Sequence, residues 1–372
     1  MPNGIKIATV SGIRINADYT WFLILILFSW SLAFGYFPIR QPGFDRGVYI
    51  AMGVMSAISL FVCVLIHELS HSITANRLGL SVRQITLFIF GGVAHLEKEP
   101  EDPMVEFKVA VAGPAASAAL AIAFYAVSAI TSPDTAAYAV FSYLALINTV
   151  LFVFNLVPGF PLDGGRILRA LWWKKTGNLM QATRLASAIG RGFALFLIVT
   201  GLLRVLTGNF SGLWSVFIGV FLLQSARTGL MQLELKNALA GIKVSDVMSK
   251  NPITIDANLT VANVIENYFF RYHFISFPVI ENGRPVGLLT LDGLRKISKE
   301  NWETTKAAEA MAPIEPEIFL SPDDDINEAI SRMSAAEIGR LPVVRNDIVV
   351  GIVSIRDIQK TVDMKRGFSD RP

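Results

Sequence analysis

Cysteine is nearly absent from this chain: Cys63 is the single thiol in 372 residues. That excludes an internal disulfide and any metal cage built from thiolates, and inside an apolar run Cys63 reads as a small hydrophobic filler. Charge is scarce as well, at 17% of residues against 52% hydrophobic. Soluble globular domains carry about 25% charged residues, so the composition excludes an ordinary water-soluble protein and points to an integral membrane protein. A net charge of +3 with no basic tract leaves no electrostatic footprint for nucleic acid. Histidine is rare too, with four in the chain, yet two of them stand four positions apart in Ile66-His67-Glu68-Leu69-Ser70-His71.

That stretch lies within the apolar run Ala51 to Ala75. On a helix, His67 and His71 project from one face a turn apart, close enough to hold one metal ion, with Glu68 beside them. The pattern H-E-x-x-H carries the chemistry of zinc hydrolysis. Two neutral imidazoles hold the metal, a third ligand completes the site, and the glutamate takes a proton from water. Five residues recur by chance, so the setting decides. On a solvated helix these side chains would be ordinary surface charges, whereas ionisable groups at membrane depth cost at least about 2.5 kcal/mol each unless paired or metal-bound.

Around this motif the chain orders itself by periodicity. Ile5 to Asn16 alternates apolar and polar residues, as a short strand or hairpin at the membrane surface. The apolar run Tyr19 to Phe37 is too long for a signal-peptide core and reads as a retained first span, about Thr20 to Phe37. Further spans are expected at about Val48 to Asn76, Val105 to Ile130, Ala137 to Leu156, Arg191 to Val205 and Leu213 to Met231. Between the second and third, Leu80 to Leu96 is β-branched, aromatic and interrupted by Gly91-Gly92, which predicts a hairpin or re-entrant strand. Non-helical backbone survives at that depth only where protein or a water cavity shields it. An open edge at Gly91 and Gly92 could take up an unwound substrate by β-addition; the plainer alternative is that the strands cover the cavity.

Glu97 to Pro103 reads as an acidic turn, and Gly113-Pro114-Ala115-Ala116-Ser117 as a small-residue stripe for close helix contact. The fourth span breaks at Pro158-Gly159-Phe160-Pro161 and leads into Leu162-Asp163-Gly164-Gly165-Arg166, a run no ordinary helix continues through. An aspartate directly after such a break is placed to turn back toward a cavity. Six spans put both ends on one side. The connections assigned inside hold Arg77, Arg83, Lys98, Arg166, Arg169, Lys174, Lys175 and Arg184, against Arg40, Arg46 and Arg204 outside, which makes that side cytosolic.

Beyond Gln232 the composition becomes that of a soluble α/β domain, and it repeats. Val247-Met248 recurs as Ala310-Met311, Phe277-Pro278-Val279-Ile280 as Leu341-Pro342-Val343-Val344, and Val286-Gly287-Leu288-Leu289-Thr290 as Val350-Gly351-Ile352-Val353-Ser354. A constant offset of 63 to 64 residues means two copies of one module.

Taken together, His67-Glu68-Leu69-Ser70-His71 and Asn155-Leu156-Val157-Pro158-Gly159-Phe160-Pro161-Leu162-Asp163-Gly164-Gly165 resemble the paired motifs of the site-2 protease family, intramembrane zinc metalloproteases. The resemblance is to the prokaryotic group with a C-terminal pair of cystathionine-β-synthase (CBS) modules, and it covers almost the whole chain. It implies a polytopic α-helical membrane domain of about six spans with a small β-sheet over residues 1–235, CBS repeats at 236–302 and 303–365, and a tail at 366–372. By the same resemblance His67, His71 and Asp163 are the zinc ligands and Glu68 the general base. Two imidazoles and one carboxylate also suit zinc better than a hard cation that prefers oxygen alone. His95, beside a glycine turn, is the alternative third ligand, and His273 in the soluble repeat reads as structural.

Asn155 could donate its amide to a developing oxyanion or, as the family suggests, to substrate backbone; Asn148 serves as readily to hold helices together. CBS pairs commonly bind adenine nucleotides such as ATP or AMP through a Ser/Thr and a following Asp. Ser354 and Asp357 supply both in the second copy, whereas the first has Thr290 with Gly293 in the carboxylate position. The pair could instead be only a platform for homodimers. The implied activity is cleavage of a single-span membrane protein, an anti-sigma factor or other membrane-tethered regulator, in a prokaryotic cell membrane, with the N-terminus and CBS pair cytosolic. The rival class is a CBS-gated metal-ion transporter or channel, in which His, Glu and Asp line an ion path. Glu68 discriminates, because a path has no need of a base beside the first ligand.

Overall fold

The computed structural model describes residues 4–88, 91–96, 100–313, 318–336 and 338–369. Its contacts divide into two units, Met1–Met231 and Gln232–Pro372.

The first unit opens with a hairpin of β1 (Gly4–Val10) and β2 (Ile13–Asp18), turned through Ser11 and Gly12, both at positive φ as a tight two-residue hairpin requires. Asp18 then caps α1 (Tyr19–Ser31), its carboxylate accepting from the Thr20 amide. A π-helical turn at Leu32–Tyr36 joins α1 to α2 (Phe37–Arg40). There follow α3 (Arg46–Arg77), β3 (Val82–Phe88), β4 (Gly91–Leu96), α4 (Pro103–Ala129), α5 (Ala136–Asn155), α6 (Asp163–Thr176), α7 (Leu179–Leu206) and α8 (Gly212–Leu239). Side-chain caps start three more of these, with Asp102 accepting from Met104 and Val105, Thr135 from Tyr138 and Asn178 from Gln181. Six helices among the described residues are long and apolar enough to cross a membrane: Tyr19–Arg40, Arg46–Arg77, Pro103–Ala129, Ala136–Asn155, Leu179–Leu206 and Gly212–Leu239.

The first four spans end within three residues of the positions read from the sequence. The fifth differs, beginning at Leu179 rather than near Arg191. Gly190 lies inside α7, where a Cβ would run into the backbone of Phe160. The glycine admits the 158–161 turn against the helix, and Phe160 donates its amide to the Ala186 carbonyl. The break itself falls where expected, but it is followed at once by α6, a 14-residue helix that begins on Asp163.

The two β segments join into one sheet of order β1-β2-β3-β4, in which β2 and β3 run parallel. Their inward residues Ile13, Ile15, Ile85 and Leu87 are buried against Leu65, Leu69 and Ile73 of α3, so the sheet is seated on the helix that carries the histidines. Helix α4 packs against α3, α5 and α6.

The second unit contains a four-stranded sheet of order β6-β7-β8-β9 (Ile255–Asp256, Ser276–Glu281, Arg284–Thr290, Ala312–Pro313). Beside it in sequence is a three-stranded sheet of order β10-β11-β5 (Arg340–Arg345, Ile348–Ser354, Ser249–Lys250). Each repeat lends its first strand to the other: β5 pairs with β11, and β9 with β8. The repeated Val247-Met248 and Ala310-Met311 are the exits of short helices that feed those lent strands. Two apolar cores result, one around Phe277, Val279 and Leu289, the other around Leu341, Val343 and Val353, and the second also takes in Val244 and Leu288 of the first repeat.

Candidate metal centre

The apolar stripe of α3 that faces its neighbours includes His67 and His71, 4% and 7% exposed. Asp163 reaches them from the first turn of α6, with Oδ2 3.1 Å from His67 Nε2 and 3.2 Å from His71 Nε2; the two Nε2 atoms are 3.2 Å apart. The sequence places these residues 92 and 96 positions apart, and the folded chain makes of them a triangle of three donor atoms.

The far side of each ring is fixed by α4. His71 Nδ1 is 2.7 Å from the Val109 carbonyl, which can only accept, so Nδ1 carries a proton and in the neutral ring the Nε2 lone pair faces Asp163. His67 Nδ1 lies 2.9 Å from Ser117 Oγ. A carboxylate oxygen and imidazole lone pairs crowded this closely repel one another unless a cation or a proton lies between them. Donors 2.0–2.1 Å from a tetrahedral zinc stand about 3.3 Å apart, so the triangle fits that ion. Outer hydrogen bonds of this kind set ring orientation in zinc sites. Gly113, between Val109 and Ser117, is the point of closest approach: a Cβ there would overlap Nε2 of both histidines.

Glu68 is half-buried beside the triangle, and β4 crosses it so closely that a Cβ on Gly92 would meet Glu68 Cγ at 2.6 Å. β4 pairs with β3 and is the last strand of the sheet, its other edge having no strand partner among the described residues. Gly91 and Gly92 thus lie on an edge strand over Glu68. Asn155 closes α5, directly before the break that leads to Asp163; it is half-buried and takes part in none of the hydrogen bonds around the triangle. Asn148 is fully buried, donates to the Leu144 carbonyl of its own helix and lies against Cys63 of α3. The side chain of His95 and residues 97–99 lie outside the described residues.

Sequence reasoning missed Ser117, Val109 and Glu106. Glu106 is 1% exposed on α4, and its carboxylate accepts from both Nε and Nη2 of Arg169 on α6. The available signal was a lone acid in an apolar span.

Comparison with known proteins bears on the same residues. The profile of Peptidase family M50 matches residues 55–138 and 130–199. Rip3 of Mycobacterium tuberculosis is 33% identical over 380 residues, covering 100% of this chain and 96% of its own. The zinc metalloprotease MJ0392 of Methanocaldococcus jannaschii is 31% identical over 364 residues, covering 98% and 97%. The chain belongs to peptidase family M50. It is a metalloprotease of the site-2 protease type, and its second unit is a CBS domain pair, matched at residues 244–300 and 307–363. Among solved structures, the site-2 protease from M. jannaschii is 31% identical, covering 60% of this chain and 94% of that one at a TM-score of 0.43. The CBS domain pair of protein MJ0100, solved with 5′-methylthioadenosine and S-adenosyl-L-methionine, is 26% identical over 33% of this chain and 98% of that one, at a TM-score of 0.30.

In the CBS pair of this M50 peptidase, Ser354 and Asp357 face each other at the start of the helix Ile355–Ser369. Asp357 Oδ2 accepts from Ser354 N (2.9 Å) and Oγ (2.6 Å). Arg340, paired in register with Ser354, stands over the Phe274 ring. Burial draws its guanidinium below the usual range, and the Asp357 carboxylate opposes that shift. In the first copy Thr290 caps its helix by accepting from Gly293 N. A Cβ at Gly293 would press on the Ala310 carbonyl at 2.9 Å, a reason for glycine where the second copy has aspartate. His273 takes a left-handed conformation at a helix end, in keeping with a structural role.

Proposed function

We propose that this M50 peptidase cleaves within the membrane-spanning helix of a single-span substrate, an anti-sigma factor or other membrane-tethered regulator. The observation that carries the reading is the convergence of His67 Nε2, His71 Nε2 and Asp163 Oδ2 within 3.2 Å inside an apolar helix bundle, with Glu68 adjacent. These three residues would hold zinc, which when bound supplies a Lewis acid and makes its water more acidic. Glu68 takes the water's proton and passes it to the leaving amide nitrogen. Asn155 donates its amide to the oxyanion or to substrate backbone. The substrate must first unwind, since every amide of a helix in lipid is already hydrogen-bonded. The open edge of β4 at Gly91 and Gly92, lying over Glu68, suits an unwound segment added as a strand.

The domain boundaries we propose are 1–235 for the protease and 236–302 and 303–365 for the CBS repeats, with 366–372 as a tail. The protein lies in a prokaryotic cell membrane with its N-terminus and CBS pair cytosolic. That pair takes an adenine nucleotide, ATP or AMP, through Ser354, Asp357 and Thr290, and serves as a homodimer contact.

Removing the third ligand tests the centre. Asp163→Ala is expected to lose stoichiometric zinc on metal analysis of the purified protein and, with it, cleavage of a single-span substrate. Full zinc retention in Asp163→Ala would take Asp163 out of the ligand set.

A further inference from the structure

Glu106 stands in the first turn of a membrane span, nearly devoid of solvent contact, and takes no part in the ligand triangle. A charge so buried requires a partner, and the partner is on α6. Arg169 brings Nε to 2.7 Å from Glu106 Oε1, with Nη2 on the same oxygen, while Arg166 Nε remains 4.0 Å away. The Arg169 guanidinium also lies 4.8 Å from the Phe160 ring centre, so the turn before α6 grips it as well.

Placement gives this pair its meaning. On α6, Asp163, Arg166 and Arg169 follow at intervals of three, about 60° apart around the helix from one to the next. On α4, Glu106, Val109, Gly113 and Ser117 follow at intervals of three and four along one face. One stripe of α4 therefore addresses all three donors: Ser117 holds His67, the Val109 carbonyl holds His71, and Glu106 holds the helix that presents Asp163. Neither α3 nor α6 alone fixes the distance between the histidines and the aspartate. A buried ion pair contributes little net stability compared with apolar residues of the same size, and its best-attested use is to fix register.

We propose that Glu106 and Arg169 are positioning residues of the metal centre, locking α6 against α4 at the register that brings Asp163 Oδ2 to both imidazoles. The inference rests on His67, His71 and Asp163 being the zinc ligands.

The test uses full-length protein in detergent. Zinc affinity is measured by chelator competition, and donor geometry by visible absorption of the cobalt-substituted protein, which is intense for tetrahedral cobalt and weak for higher coordination. In Glu106→Gln and in Arg169→Gln, zinc affinity is expected to fall about 10- to 100-fold, the range for groups that orient metal ligands. The cobalt band should weaken with it, while helix content stays at the wild-type level. The double variant should lose no more than either single one, since both remove the same contact. Unchanged affinity and spectrum in the folded single variants, or losses that multiply in the double variant, would overturn the proposal. Should the glutamine variants fail to fold, Arg169→Lys carries the test, because it keeps the charge and loses the two-pronged contact: a smaller fall in affinity is expected, and wild-type affinity counts against the pair. A wild-type protein without stoichiometric zinc would instead refute the ligand assignment itself.

Discussion

At the scale of single residues, the chemistry is divided between groups that touch the reacting atoms and groups that aim them. Asn155 belongs to the first kind in the function proposed here, and it holds no position in the hydrogen bonds that orient the triangle. Asn155→Ala is therefore expected to leave zinc content unchanged while lowering kcat/KM by about 10²- to 10³-fold, the loss typical of one oxyanion donor. Metal analysis beside steady-state cleavage checks it, and a parallel loss of zinc would reassign Asn155 to holding the site together. The pairing of His67 with His71 was legible in the sequence from its four-residue spacing, and Asp163 through the resemblance of its motif to that of the family; the structure brings the three together. Ser117, Val109 and Glu106 were not legible. Val109 acts through its carbonyl, which no side chain signals, and Ser117 and Glu106 matter only through α3 and α6, whose nearness to α4 is a property of the fold.

At the scale of elements, four spans could be placed to within a few residues because long apolar helices in lipid carry a strong periodic and compositional signal. The β-sheet was only half legible. Hairpins are local, but the parallel pairing of β2 with β3 joins segments separated by α1 to α3 and leaves no local trace. The start of α7 was misplaced: the helix begins at Leu179, before the apolar run that opens near Arg191, and passes through Gly190, which lies against Phe160. Close approach also makes Gly113 a sensitive point. Gly→Ala within a helix normally stabilises it by about 1 kcal/mol, so Gly113→Ala should leave α4 at least as helical as before. The new methyl nevertheless falls on Nε2 of both histidines, and zinc binding is expected to be lost. Circular dichroism together with zinc content checks this; full zinc occupancy in Gly113→Ala would contradict the packing of α4 on α3.

For the whole molecule, the question is whether the CBS pair governs the protease. Its repeat was plain from the sequence, whereas the exchange of first strands between repeats was not, since an antiparallel pair leaves the same pattern whichever copy it joins. If an adenine nucleotide binds through Ser354 and Asp357, Asp357→Ala in the full-length protein should weaken ATP or AMP binding at least about tenfold by calorimetry, as expected when a charged hydrogen-bonding group is removed. Part of any loss could come from the helix cap that Asp357 also makes, so thermal stability is measured alongside. A fivefold change in cleavage on adding nucleotide corresponds to about 1 kcal/mol of coupling between the two sites. Binding that survives Asp357→Ala would place the nucleotide elsewhere, and no binding of either at millimolar concentration would leave the pair as a dimer contact.

The most direct test of a protease centred on His67, His71, Asp163 and Glu68 is Glu68→Gln, with zinc content and turnover of a single-span substrate measured on the same preparation. Glutamine keeps the shape that packs beneath Gly92 but cannot take a proton from water, and removing a general base typically costs about 10²- to 10⁴-fold in rate. The expected result is wild-type zinc content with turnover reduced at least about 100-fold. Undiminished turnover in Glu68→Gln, or a zinc-loaded wild-type protein that passes metal ions across a vesicle membrane and cleaves nothing, would contradict it.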